Sequence, residues 1–160
     1  MLPPRIFYKY APELHNGCET QVGVPVAVQL LGSDPVQMGR HGAKAVELGA
    51  TQVDINFGCP AKTVNKHKGG CVLMREPELM QQITEAVRAA VPAHVPVTAK
   101  MRLGYDDRSM GVACGQALEA AGASESVVHA RSKVDGSKPA ADWGHVGRVR
   151  VQGNDPGIGK

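Results

Sequence analysis

Val53-Asp54-Ile55-Asn56-Phe57-Gly58-Cys59-Pro60 is the stretch from which the fold can be read, an alternating strand that stops on a cysteine held between a glycine and a proline. Successive side chains of a strand point to opposite faces, so Val53, Ile55 and Phe57 share one face and Asp54 and Asn56 the other. One face is a packing surface, and the other carries polar groups that need a use. Gly58 frees the backbone to turn and Pro60 ends the ladder, which places Cys59 at the rim of the sheet. Rims at the carboxyl ends of parallel strands are where α/β enzymes keep their chemistry.

Runs with strand character recur at residues 5–10, 24–31, 95–103 and 126–131, giving about five strands in all. Helical patterns lie between most of them. Residues 77–90 open on Pro77, which suits a first turn, and Leu79, Ile83, Val87 and Ala90 form a stripe for burial. Residues 35–48 carry Asp34 as N-cap and Gly49 as the terminal glycine, and residues 109–121 stop at Gly122. Gly39, Gly42, Gly111 and Gly115 weaken the last two helices by ~1 kcal/mol each relative to alanine. Strands alternating with helices at this spacing imply right-handed βαβ units and a parallel sheet.

Side-chain parity narrows the choice of α/β fold. Gln29 opposes Val28 and Leu30; Thr98, Lys100 and Arg102 share a face opposite Val97, Ala99 and Met101; His129 and Arg131 oppose Val128 and Ala130. A doubly wound sheet covers both faces with helices and would bury unpaired Lys and Arg at high cost. A closed barrel instead turns those residues into the floor and walls of a ligand site. The result is an anion-friendly pocket with a thiol at its rim. Asp54 is expected to be the only acidic residue facing inward, too few carboxylates for a divalent cation, and the His and Cys spacing offers no zinc set. There is no Walker motif, G-x-S-x-G or G-x-G-x-x-G followed by a helix.

The 160 residues, 42% apolar and 21% charged, are those of one ordinary globular domain. No segment approaches the ~20 apolar residues of a membrane span, and the opening lacks a signal-peptide pattern, so the expected compartment is the cytoplasm. Cys18, Cys59, Cys71 and Cys114 form no C-x-x-C pair, which argues against a disulfide framework. Taken alone, Cys59 reads either as a reactive thiol or as a small apolar filler, and the other three read as filler. The net charge of +3 does not by itself identify a nucleic-acid partner. Its distribution says more: Lys62, Lys66, His67, Lys68 and then Arg75 gather positive charge beside Cys59, suited to nucleic-acid phosphates.

Three ordered motifs carry a family resemblance. Asn56-Phe-Gly-Cys-Pro-Ala-Lys-Thr-Val-Asn65 with Gly69-Gly70, Leu73 and Pro77-Glu-Leu79, then Val97-Thr-Ala-Lys-Met-Arg-Leu-Gly104, then Val127-Val-His-Ala-Arg131, resemble the tRNA-dihydrouridine synthases, nearest to their bacterial C-type branch. The resemblance spans about residues 12–143. It implies an FMN enzyme on a TIM-type (β/α)8 barrel, reducing the C5–C6 double bond of a uridine in the tRNA D-loop, position 16 in that branch, with NADPH supplying electrons. On the same resemblance Gln29, Lys100, His129 and Arg131 contact the flavin, Asn56 and Arg102 hold the flipped uracil, and Cys59 gives the proton. Lys62, Lys66 and Lys68 meet the tRNA, and no metal or membrane is involved. A thiol with an ordinary pKa of ~8.5 is mostly protonated at neutral pH and can act as a general acid without tuning.

A barrel of eight βα units takes ~250 residues. The expected organisation is therefore a partial FMN-dependent barrel domain over residues 1–143, with about five of the eight strands, and a divergent irregular tail over 144–160. The first strand, the seventh and eighth strands and a C-terminal helical tRNA-binding domain are expected to be absent. Two other functions stay open. One is an inactive remnant that binds RNA weakly through its basic loop; the other is a different FMN-dependent barrel oxidoreductase acting on a small pyrimidine.

Overall fold

Four parallel strands, β1 (Val28–Leu30), β2 (Val53–Asn56), β3 (Val97–Arg102) and β4 (Glu125–His129), lie side by side in chain order. The computed structural model that shows them describes residues 4–152 except 137 and 139. Val28 pairs with Val53 and Val53 with Val97, so the apolar set of each strand faces the same side. On the other side the register lines up polar rows. Gln29, Asp54, Thr98 and Glu125 form one row, Asn56, Lys100 and Val127 the next, and Arg102 and His129 a third.

Helices cover the apolar side. Val53, Ile55, Val97, Ala99, Met101 and Val128 are buried in the core formed with α2 (Pro35–Glu47), α4 (Pro77–Ala90) and α5 (Met110–Ala120). The opposite face keeps its polar side chains around an open concavity. The fold is thus α/β, an arc of four βα units of the TIM type, as parity required. The Asp34 carboxylate accepts from the backbone N–H of Gln37 at 2.8 Å, capping α2, and α4 occupies its expected span. Its buried stripe is turned by one residue from the expected one: Met80, Ile83, Thr84 and Val87 are buried, and Leu79 and Ala90 only partly so.

Three expectations are corrected. Residues 5–10 are not a strand but lie in α1 (Pro4–Tyr10), where Phe7 is buried edge-on against His41 and Tyr8 stacks on His15 at 3.9 Å. Tyr10 stays 75% exposed, so this aromatic-rich run never had two faces to satisfy. Residues 24–27 do not join β1: Glu19 bridges Pro25 antiparallel, and the Val24 N–H donates to Thr20 Oγ1 at 3.1 Å, so a local turn claims them. The sheet therefore has four strands among the described residues rather than about five. Finally, the part of the tail expected to be irregular is helical in α6 (Trp143–Gln152). Asp142 accepts from the His145 N–H at 3.0 Å at its start, and Val146 is buried against the core. Residues 153–160 lie outside the described set.

The α2 glycines, a weakness by propensity, are what lets α2 and α4 touch. A Cβ on Gly39 would lie 2.8 Å from the carbonyl oxygen of Ala86, and one on Gly42 would lie 3.2 Å from Val87 and Val91. Alanine at position 39 gains ~1 kcal/mol of helix propensity but must push a backbone away. Gly39→Ala is expected to lower stability by about 1–3 kcal/mol in urea unfolding, the range for overpacked cores. A variant as stable as the parent would mean that the two helices slide freely.

Candidate active site

The strand-end turn that carries Cys59 is built by side chains folding back on the backbone. Asn56, the last residue of β2, turns its Oδ1 onto the N–H groups of Gly58 (3.0 Å) and Cys59 (2.9 Å). The Cys59 carbonyl then accepts from Asn65 Nδ2 at 3.0 Å and from the Cys71 N–H at 3.0 Å. Asn65 also donates to the Gly69 carbonyl at 2.9 Å and accepts from the Cys71 thiol at 3.3 Å. Gly70 closes this clasp in the left-handed region that favours glycine: its φ is +68°, and a Cβ there would lie 2.6 Å from the Cys59 carbonyl oxygen. Cys59 itself is left half-buried at the rim.

Beneath the rim the polar rows form a concavity of about 360 Å³ whose walls include Gln29, Asp54, Thr98, Lys100 and Glu125. Gln29 Nε2 donates to Asp54 Oδ2 at 2.7 Å, and Asn56 Nδ2 donates to Gln29 Oε1 at 2.8 Å. Thr98 Oγ1 donates to Asp54 Oδ1 at 2.7 Å and accepts from Gln52 Nε2 at 3.1 Å. Arg102 reaches across to the turn, with Nε donating to the Gly58 carbonyl at 2.9 Å and Nη1 to that of Ser132 at 3.4 Å.

Charge is concentrated at the carboxyl ends of β3 and β4. Burial first, then the neighbouring Arg102, holds the Lys100 ammonium below its ordinary range, while Asp54 pulls the other way. His129 is likewise lowered, by burial and then by Arg102, Lys100 and Arg131. Arg131 Nη1 sits 3.4 Å from His129 Nε2; a guanidinium only donates, so this contact is a hydrogen bond in the tautomer that carries its proton on Nδ1. An ammonium, two guanidiniums, an imidazole and two primary amides on one face fit a planar, electron-rich, hydrogen-bonding ligand. They do not resemble a cation site, and among the described residues no three His, Cys, Asp or Glu side chains cluster to hold a metal.

The structure brings Gln29, Asn56, Lys100, Arg102, His129 and Arg131 onto one face with Cys59 at its edge. Lys62 and Lys66 bound the short helix α3 (Lys62–Lys66), and with Lys68 they are exposed just after Cys59. Arg75 does not join them; it pairs with Asp106 and lies over the Tyr105 ring at 4.1 Å. Asp54 is not the sole inward acid either, since Glu125 stands in the same row. Its parity with Val127 and His129 marks it once β4 is begun one residue earlier. Asn65 left no signal beyond its place in the motif, and Cys71, read as filler, left none, because their role is to fold the turn. Cys18, Cys71 and Cys114 are buried as expected, and burial pushes the Cys114 thiol up to about 12.

The clasp makes a direct prediction. Asn65→Ala leaves the Cys59 and Gly69 carbonyls without their shared donor, a loss of about 1–3 kcal/mol, and it frees the lysine-rich segment. Trypsin should then cut after Lys62, Lys66 or Lys68 faster than in the parent under native conditions. An unchanged cleavage rate would show that Gly70 and the Cys71 N–H hold the turn alone.

Comparison with known proteins agrees with this geometry. The family model described as dihydrouridine synthase matches residues 5–156, beyond the expected limit at 143. The tRNA-dihydrouridine(16) synthase of Pseudomonas syringae pv. tomato is 53% identical over 150 residues, 94% of this chain and 47% of the relative. That of Pseudomonas putida is 55% identical over 94% of this chain and 46% of its own length. For Neisseria meningitidis serogroup B the figures are 49%, 94% and 45%. The chain spans about half the length of the curated relatives it matches. With its family model covering nearly every described residue and the thiol, lysine and histidine gathered at one sheet rim, the chain belongs to the dihydrouridine synthase family.

Proposed function

We propose that this chain carries the catalytic wall of a flavin-dependent tRNA-dihydrouridine synthase, reducing uridine to 5,6-dihydrouridine in the tRNA D-loop. The position is the 16 that appears in its relatives' names, the flavin is FMN and the electron source is NADPH. The observation that carries this reading is the placement of the Cys59 thiol, half-buried, at the edge of the face that holds Lys100, Arg102, His129 and Arg131.

Lys100, Gln29, His129 and Arg131 would hold the flavin, with the Lys100 charge suited to the electron-rich N1–C2 edge of the ring. When bound, FMN supplies the hydride that reaches one carbon of the uracil C5–C6 bond. Cys59 supplies the proton at the other carbon: the Sγ–H bond breaks, a C–H bond forms, and the thiolate is reprotonated from water. The uridine must leave the RNA stack to arrive there, and Asn56 and Arg102, which brace the turn, would orient it. Exposed Lys62, Lys66 and Lys68 hold phosphates on either side of it.

A second reading is favoured by the exposed Lys62, Lys66 and Lys68: RNA binding through the basic segment without flavin. Gel filtration of the purified chain with FMN separates the two. Flavin absorbance co-eluting with protein supports the catalytic reading. Salt-sensitive RNA binding with no retained flavin would replace it with the second.

In a full-length form of the protein, Cys59→Ala is expected to slow uridine reduction by about 10²–10⁴-fold, the usual worth of a positioned acid, with flavin still bound. Loss of flavin in that variant would assign Cys59 to structure instead.

A further inference from the structure

The hydrogen bonds beneath Cys59 run in one direction. At one end stand the backbone N–H groups of Gly58 and Cys59, which can only donate. At the other end stands the Asp54 carboxylate, which when ionised can only accept. Two primary amides, Asn56 and Gln29, lie between. An amide can be placed in either of two orientations by exchanging its O and N, and such choices are ordinarily free. Here they are not. The backbone donors force Asn56 Oδ1 toward the turn, so its Nδ2 faces Gln29 Oε1; Asp54 forces Gln29 Nε2 toward itself, so its Oε1 faces Asn56. Both boundary conditions demand the same sense, and every link is between 2.7 and 3.0 Å.

We propose that Asp54 is the positioning residue of this site: by fixing the polarity of the Gln29 and Asn56 amides, it locks the turn that presents Cys59. The effect passes through side chains of two strands, β2 and β1, without Asp54 touching the thiol. Thr98 anchors the carboxylate from the next strand, donating to Oδ1 while Gln52 donates to its hydroxyl, so Asp54 cannot swing away from Gln29. The same arrangement settles what the two amides offer a ligand. Gln29 keeps one Nε2 hydrogen after serving Asp54, so it presents a donor rather than a bare carbonyl to the concavity. Asn56 likewise has one Nδ2 hydrogen left. The inference that this matters for catalysis rests on the reading of Cys59 as proton donor; the lock itself does not.

Amide hydrogen exchange by NMR on the 160-residue chain reads the lock without flavin or RNA. In Asp54→Asn the carboxamide accepts and donates, the boundary condition at that end is lost, and Gln29 gains an alternative orientation that leaves Asn56 held by the backbone N–H groups alone. Exchange at the Gly58 and Cys59 N–H groups is expected to accelerate about tenfold, the worth of one good hydrogen bond, while amides of β2 and β3 change by less than about twofold. Glu125→Gln removes a carboxylate from the same row and should leave Gly58 and Cys59 unchanged. Should Asp54→Asn fail to fold, Gln29→Ala breaks the relay at an exposed position and should give the same local acceleration. Uniform acceleration across the sheet, or unchanged exchange at Gly58 and Cys59 in Gln29→Ala, would overturn the proposal. Because no cofactor enters, that failure stays separate from a failure to retain flavin.

Discussion

A Lys and an Arg two residues apart on a parallel strand impose the constraint on which this molecule depends. Lys100 and Arg102 must share a face, and that face cannot lie under a helix, because an unpaired buried cation costs several kcal/mol. Their neighbours Ala99 and Met101 are fully buried, so the other face must be covered. Once β3 is placed in this way, the parallel register carries the decision to its neighbours. Asn56 falls beside Lys100 and His129 beside Arg102, while the valines and Ile55 fall under the helix layer. The helix layer lies on one side of the sheet, and polar side chains line the concavity on the other.

Small residues then set the distances. Gly39 and Gly42 bring α2 against α4, which fixes the helix layer behind β1 and β2; Gly70 lets the chain after α3 pass close to the Cys59 carbonyl. These positions work by lacking a side chain. The rigidity of the rim thus comes from packing behind it and from backbone hydrogen bonds in front of it. Arg102 joins the two, since it rises from β3 and ends on the turn.

Strand parity was legible from the amino-acid sequence because a period of two is a local property. β2, β3, α2 and α4 stand where their patterns place them, and so do the inward-facing Gln29, Asn56, Lys100, His129 and Arg131. The misses have specific causes. Residues 5–10 are aromatic and β-prone, but tertiary contacts of Phe7 and Tyr8 decide in favour of helix. Residues 24–27 are apolar enough for a strand, yet a turn bonded through Thr20 claims them. Gly39 reads as a helix weakness in one dimension and as a contact point in three. Arg75 reads as part of a basic patch until Asp106, thirty-one positions away, takes its charge. Glycine and valine content hid α6, whose N-terminal Asp142 gives the one local signal. Long-range partners are what a single pass along the chain does not contain.

Three of the four thiols are sealed. Cys18 is 1% exposed and Cys71 and Cys114 are 0% exposed, while Cys59 alone reaches the surface at the rim. The folded chain is therefore a single-site substrate for soft electrophiles, with no cysteine needing removal beforehand. A fluorophore or spin label delivered as a maleimide or iodoacetamide would attach at one position, a few side chains from whatever ligand the concave wall admits. The protein thus comes with its own attachment point for an optical or magnetic reporter, placed where occupancy of the wall changes the reporter's surroundings most.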